Sequence, residues 1–229
     1  MATPLVAGTA ALIRQHLLER GHLQPSRKPS GALLKAFLIN GATALPGQFP
    51  QEVPAGANTV SGFGRIDVTQ SLVPEPLRRT VFADDPDHGV ATGQLRTYQV
   101  QAADLTRPLK VTLVWTDAPA GSDDGGLENQ LYLRVQAPDG GVSDGDTSPF
   151  PTATNNVQQV LIAAPVAGAY TIRVHGVSVT QQAPRASPGA GAAPRQDFAL
   201  AVSNGVPTGA PPDGDEEAAA TTASMALSG

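Results

Sequence analysis

Cysteine is absent from all 229 residues, which excludes disulfides, a thiol nucleophile and cysteine-held zinc. Aromatic residues are only 4% and charged residues only 15%. The 15 Lys and Arg are outnumbered by 20 Asp and Glu, giving a net charge of −5 and a pI near 5.3. No basic field is left to hold nucleic acid or an anionic membrane. Long apolar runs are missing too, for none approaches the roughly 20 residues that span a bilayer. The run at 5–13 has no Lys or Arg before it and is followed by Arg14 without a small-residue cleavage site, so it is not a signal peptide. What remains, 41% hydrophobic residues with 24 Gly and 21 Pro, describes a soluble chain with a packed core and many turns.

The first third has helical spacing. Over 4–20, Leu5, Val6, Leu12, Ile13, Leu17 and Leu18 form an apolar band too wide for a surface stripe, which predicts a mostly buried helix. Pro4 suits its first turn and Gly21 its end. Gly8 with Ala7, Ala10 and Ala11 makes a thin face suited to close packing by another backbone. Ser30 is a good N-cap for a second helix over 31–39, with Leu33, Leu34, Phe37 and Leu38 as its apolar face and Asn40-Gly41 as its stop. A Pro/Gly-rich loop follows. Gly62-Phe63-Gly64-Arg65-Ile66 then predicts a tight turn and a short extended segment, and Asp67 caps a brief third helix through Leu72. Pro74 and Pro76 form a stiff boundary.

Past Pro76 the period changes from 3.6 to 2. Strands are predicted at 77–83, 95–101, 109–115, 131–137, 157–162, 169–175 and 198–202, with a turn at Pro138-Asp139-Gly140-Gly141. Seven short strands with turn signals between them argue a β-sandwich. Residues 205–229 are poor in bulky hydrophobes and are expected to be a disordered tail, with Asp213, Asp215, Glu216 and Glu217 solubilising it.

The opening, Met1-Ala2-Thr3-Pro4-Leu5-Val6-Ala7-Gly8, resembles the segment after the catalytic serine of subtilisin-like serine proteases, where Gly-Thr-Ser precedes Met-Ala-Thr-Pro. Leu33 to Ala42 is similar to a later helix of that catalytic domain, and Gly62-Phe63-Gly64-Arg65-Ile66-Asp67 to a segment near its end. Leu109 to Asp117 looks like a strand of the jelly-roll sandwich that some of these proteases carry next. The following strand usually has Asn-Asp-Leu-Asp-Leu; here it is Asn129-Gln130-Leu131-Tyr132-Leu133, with Pro138-Asp139-Gly140 kept. Asn155 to Val160 and Gly168 to Val174 complete the resemblance, which covers residues 1 to about 204.

The resemblance implies an α+β chain: residues 1–73 are the last helices of a subtilisin-like α/β catalytic domain, residues 77–204 a jelly-roll β-sandwich, and 205–229 a tail. It implies a secreted or extracellular serine endopeptidase that acts on protein and peptide substrates. From the charge and the short apolar runs no nucleic-acid or membrane partner is expected, and the chain is expected to be a monomer. The nucleophile is expected immediately before Met1, with the histidine, the aspartate and the oxyanion-hole asparagine further upstream, so no catalytic residue is assigned here and the chain alone is expected to be inert. The rival reading is a non-catalytic binding or stabilising module. His16, His22, His88 and His175 fit no serine–base–acid pattern, and no Gly-x-Ser-x-Gly elbow occurs. Calcium is the one cofactor considered. Asp117, Asp123, Asp124, Asp139, Asp144 and Asp146 are its candidate ligands, with Glu128 and the cluster Asp84, Asp85 and Asp87 as further acids; solvated turn carboxylates are the alternative. Trp115, Tyr132 and Tyr170 either pack in the core or form a carbohydrate-stacking platform. Residues 77–204 are expected to fold alone. The helices of 1–73 should be unstable, because the sheet that would cover Leu12, Ile13, Leu17, Leu33, Leu34 and Phe37 lies elsewhere.

Overall fold

Beyond residue 80, alternating apolar positions become strands. The computed structural model describes residues 2–19, 28–49, 52–53, 57–72, 80–84, 89–119, 126–145, 155–187, 193–208 and 226–228. Its strands are β1 (Thr80–Asp84), β2 (Leu95–Ala102), β3 (Leu109–Val114), β4 (Asn129–Gln136), β5 (Val142–Asp144), β6 (Val157–Ile162), β7 (Ala169–Val179), β8 (Ala199–Ser203), β9 (Gly205–Pro207) and β10 (Ala226–Ser228). They form two five-stranded sheets, ordered β10-β1-β8-β3-β6 and β5-β4-β7-β2-β9. Every pairing is antiparallel, and the pairing is nested: β1 with β8, β2 with β7, β3 with β6, β4 with β5. Among the described residues three helices precede them: α1 (Ala2–Glu19), α2 (Gly31–Asn40) and α3 (Val68–Leu72). The class is α+β.

All seven predicted strands occur; 157–162 keeps both ends, the others differ at one end or both, and 77–79 lie outside the described residues. β4 begins at Asn129 and β7 runs on to Val179, which puts His175 inside the strand instead of at its end. The expected boundary near 73–77 lies outside the described residues, as do most of the predicted tail and Gly21. Gly205–Pro207 was placed in that tail but pairs with β2, and Ala226–Ser228 pairs with β1. Asn204 reverses the chain between β8 and β9 at φ 60°. Its amide donates to the carbonyls of Asp104 (2.8 Å) and Arg107 (2.9 Å), and its Oδ1 accepts the Asp104 N–H. Asparagine tolerates this left-handed backbone because its side chain can satisfy neighbouring main-chain groups.

The sandwich core lies between the sheets. Leu131, Leu133 and Val135 of β4 and Tyr170, Ile172 and Val174 of β7 meet Val111 and Leu113 of β3 and Leu200 and Val202 of β8. Along β4 burial alternates strictly, as expected where one face is open. Along β3 and β8 it is nearly continuous, because α2 covers the outer face. Leu33, Ala36 and Phe37 of α2, with Ile13 and Leu17 of α1, share a second core with Phe82, Val114, Val157, Ala199 and Ala201. Alanine at 199 and 201 keeps that face shallow enough for a helix to lie on it. The rings of Phe37 and Phe82 meet edge-on at 5.6 Å.

This second core corrects the expectation that the helices lack a covering sheet. Leu33 and Phe37 are fully buried against the sandwich's own sheet, and Ile13 and Leu17 are fully buried where α1 packs on α2 and α3. A mostly buried α1 is also corrected. Only Thr9, Ile13 and Leu17 are buried in it, while Leu5 and Leu12 are 73% and 49% exposed, because the helix packs on α2 and α3 along one side. On the thin face, a Cβ added at Gly8 would meet nothing within 4 Å, so no backbone packs closely there.

Local signals behave as read. The Ser30 hydroxyl caps α2 by accepting the Leu33 N–H at 2.8 Å, and Asp67 caps α3 through the Gln70 N–H at 3.0 Å. Gly41 lets α3 approach closely, since a Cβ there would strike Ser71. Gly64 stands at φ +105°, with its missing Cβ aimed at the Thr43 carbonyl; Thr43 and Arg65 exchange backbone hydrogen bonds of 2.8 and 2.9 Å beside it. The Pro138–Gly141 turn closes through Gly140 N–H to Ala137 O at 3.0 Å.

Candidate functional site

Of the carboxylates named as calcium candidates, the three that are described are held by the chain's own donors. Asp117 accepts the backbone N–H groups of Ala118 (3.0 Å), Glu128 (2.8 Å) and Asn129 (2.9 Å), which anchors the start of β4. Asp139 accepts the Gly141 N–H at 2.9 Å inside its turn. Asp144 pairs with the Arg134 guanidinium at 2.7 Å, which holds its carboxyl below the usual range. Asp123, Asp124 and Asp146, with Asp85 and Asp87, lie outside the described residues. Among the described residues no three His, Asp or Glu side chains gather as a group that could hold a metal.

Asp84 is buried for a different purpose. Its Oδ2 accepts the Ser30 N–H at 2.8 Å, tying the start of α2 to β1, and Arg185 reaches its Oδ1 at 3.4 Å. The same guanidinium lies 3.7 Å from Asp197. Burial pushes the Asp197 carboxyl up, against the pull of Arg185.

Two of the three aromatic candidates are core residues. Trp115 is buried and donates its indole N–H to the Asn129 carbonyl at 3.0 Å. Tyr170 is buried with its hydroxyl on the backbone of Val166. Only Tyr132 faces outward. Its ring meets His175 edge-on at 6.4 Å and lies 5.6 Å from the Arg134 guanidinium. Burial, then the charges of Arg134 and Arg173, push the His175 imidazole below its ordinary pKa. His16 lies in the last turn of α1; His22 and His88 are outside the described residues.

A concavity beside the helical layer has no counterpart in the motifs read from the sequence. Thr80, Ser203 and Lys110 stand opposite one another on β1, β8 and β3. Phe82, Ala201 and Thr112 form the next row on that face, and there α2 ends with Asn40 hydrogen-bonded to Thr112. The first row is thus the polar floor of a cleft of about 430 Å³, walled by residues 40–43, Gln70 of α3 and Arg107. Lys110 Nζ donates to the Ala42 carbonyl at 3.0 Å, and burial holds the ammonium below its ordinary pKa. A lone lysine in the apolar run Leu109–Val114 was the available signal; its register with Ser203 is a tertiary fact.

No family model matches the chain. It is similar to two proteins of Dictyostelium discoideum. One is "Serine protease/ABC transporter B family protein tagD", 28% identical over 217 residues, which span 70% of this chain and 12% of that protein. The other is "Serine protease/ABC transporter B family protein tagB", 26% identical over 235 residues, or 78% of this chain and 12% of that protein. The chain thus matches about an eighth of each relative's length. Among the described residues no helix is long and apolar enough to cross a membrane.

Proposed function

We propose that this chain is the C-terminal portion of a secreted, subtilisin-like serine endopeptidase and is inert by itself. The carrying observation is Met-Ala-Thr-Pro placed at the start of a helix: α1 begins at Ala2, where such proteases present the nucleophile at a helix N-terminus. The similarity to proteins named as serine proteases supports a protease-related region; their names equally allow a transporter-related one. The nested pairing of β1 with β8, β2 with β7, β3 with β6 and β4 with β5 supports a jelly roll. On this reading the parent protein hydrolyses peptide bonds through an acyl-enzyme whose serine directly precedes Met1.

One observation favours the stabilising role for the sandwich within this reading. Its outer face, not a separate sheet, buries Leu33, Ala36 and Phe37. The sandwich then acts as a buttress for the last helices of the catalytic domain.

The test compares two products with a fluorophosphonate probe: the 229-residue chain, and one extended upstream in frame. The extended product should label at the serine before Met1 and the shorter one should not label. An in-frame stop within a few codons upstream, or stoichiometric labelling of the 229-residue chain, overturns the reading.

A further inference from the structure

We infer that the cleft beyond the end of α2 binds a small oxyanion, a carboxylate or a phosphate, on the Lys110 ammonium and the Ser203 hydroxyl, with Arg107 at the rim. The inference is independent of the protease reading and rests on how the fold ends one layer above another.

α2 covers two rows of the outer sheet face and stops. A third row remains, and it is polar where the covered rows are largely apolar: Thr80, Ser203 and Lys110 lie side by side across three paired strands. An ammonium has three donors. Lys110 directs one to the Ala42 carbonyl, and among the described residues it has no carboxylate partner. Directly across the ladder Ser203 adds a hydroxyl, which can donate.

The charges nearby favour an anion. Arg107 lines the cleft and pairs with Asp104 at 3.5 Å. No carboxylate is among the described lining residues, and Asp67, which caps α3, is occupied by the Gln70 N–H at 3.0 Å and the Thr43 hydroxyl at 3.2 Å. Lys110 is partly desolvated, as its lowered pKa reflects, and an incoming oxyanion would favour the ammonium that burial disfavours. The concavity suits a small ligand whose acid group reaches the floor and whose remainder meets Gln70 and Thr43.

The experiment titrates the full ¹⁵N-labelled chain with acetate and, separately, with inorganic phosphate at constant ionic strength. Saturable shifts confined to the amides of Ala42, Thr80, Lys110, Ser203 and Asn204 are expected. Saturation by acetate alone assigns a carboxylate ligand, by phosphate alone a phosphate, and by both a general oxyanion site. Lys110→Met should weaken binding about tenfold or more, the loss of one charge-assisted hydrogen bond. Because Lys110 also holds Ala42, a second variant guards against misfolding: Ser203→Asp sets a carboxylate opposite Lys110 and should abolish the shifts while leaving the remaining spectrum intact. Shifts that never saturate, that spread over other Lys and Arg residues, or that survive Ser203→Asp unchanged would overturn the inference.

Discussion

The side-chain amide of Asn40, the last residue of α2, donates to the hydroxyl of Thr112 on β3 at 3.0 Å. The same nitrogen lies 3.1 Å from the Lys110 carbonyl and 3.0 Å from that of Ala201, so one side chain spans two strands at the point where the helix ends. Asn40 is buried, and its loss would remove a donor from the two carbonyls, while the Thr112 hydroxyl keeps Gln159 Nε2 at 3.0 Å. Asn40→Ala should therefore cost about 1–3 kcal/mol. Urea unfolding should show a lower midpoint at unchanged slope; a midpoint equal to the parent's would mean the contact contributes nothing.

Because they share the second core, the helices and the sandwich should unfold as one cooperative unit. Phe37 is buried against Phe82, and Phe37→Ala should cost about 3–5 kcal/mol. Amides of α2 should exchange as slowly as those of β3 and β8. Removing residues 1–73 would uncover Phe82, Val114, Val157, Ala199 and Ala201 together, so the fragment 74–229 should self-associate. A monomeric fragment with the parent's unfolding midpoint would show that the helices add no stability to the sandwich.

Where the sequence was legible, the signal was local. Ser30 and Asp67 cap the helices they were expected to cap, and strict alternation along Leu131 to Val135 marks a strand with one open face. What escaped was tertiary. Leu33 and Phe37 show that a face needs burial, yet nothing in their spacing says which sheet supplies it. The apolar outer positions Ala199, Ala201 and Val114 were the complementary clue, since a strand buried on both faces must have a cover. β9 pairs through its backbone over three residues, too short for any pattern. The cleft depends on Lys110 facing Ser203 across the ladder from 93 residues away in sequence, 203 − 110, which no spacing rule encodes.

Gly64 provides a sharp test of the segment between the helices. Its φ of +105° is a region that side chains avoid, and a Cβ would collide with the Thr43 carbonyl just where Thr43 and Arg65 pair. Gly64→Ala should destabilise by about 1–2 kcal/mol from backbone strain alone. Loss of the Thr43–Arg65 amide protection should accompany it. If Gly64→Ala instead matches the parent in both respects, the turn has another accessible conformation.

Asp197 predicts a pH dependence opposite to that of most surface carboxylates. It is buried, and burial raises its folded-state pKa above the unfolded value, with the Arg185 charge only partly offsetting this. Between those two pKa values the folded protein holds the proton and the unfolded chain does not. The stability contributed by the protonated form is therefore complete below the unfolded pKa and is lost as pH rises through the folded one. At pH 7 the ionised carboxylate is a net cost. Asp197→Asn keeps the shape and removes the charge, while Arg185 retains Asp84 at 3.4 Å. The variant should melt at a higher temperature than the parent at pH 7, and the two curves should converge as pH falls towards the ordinary aspartate range. Asp144 supplies the contrast. Its pKa is lowered by Arg134, so its contribution is present above the unfolded value and lost as pH falls through the folded one, and Asp144→Asn should melt lower at pH 7. If Asp197→Asn also melts lower at pH 7, the Arg185 attraction outweighs desolvation and the sign assigned to Asp197 is wrong.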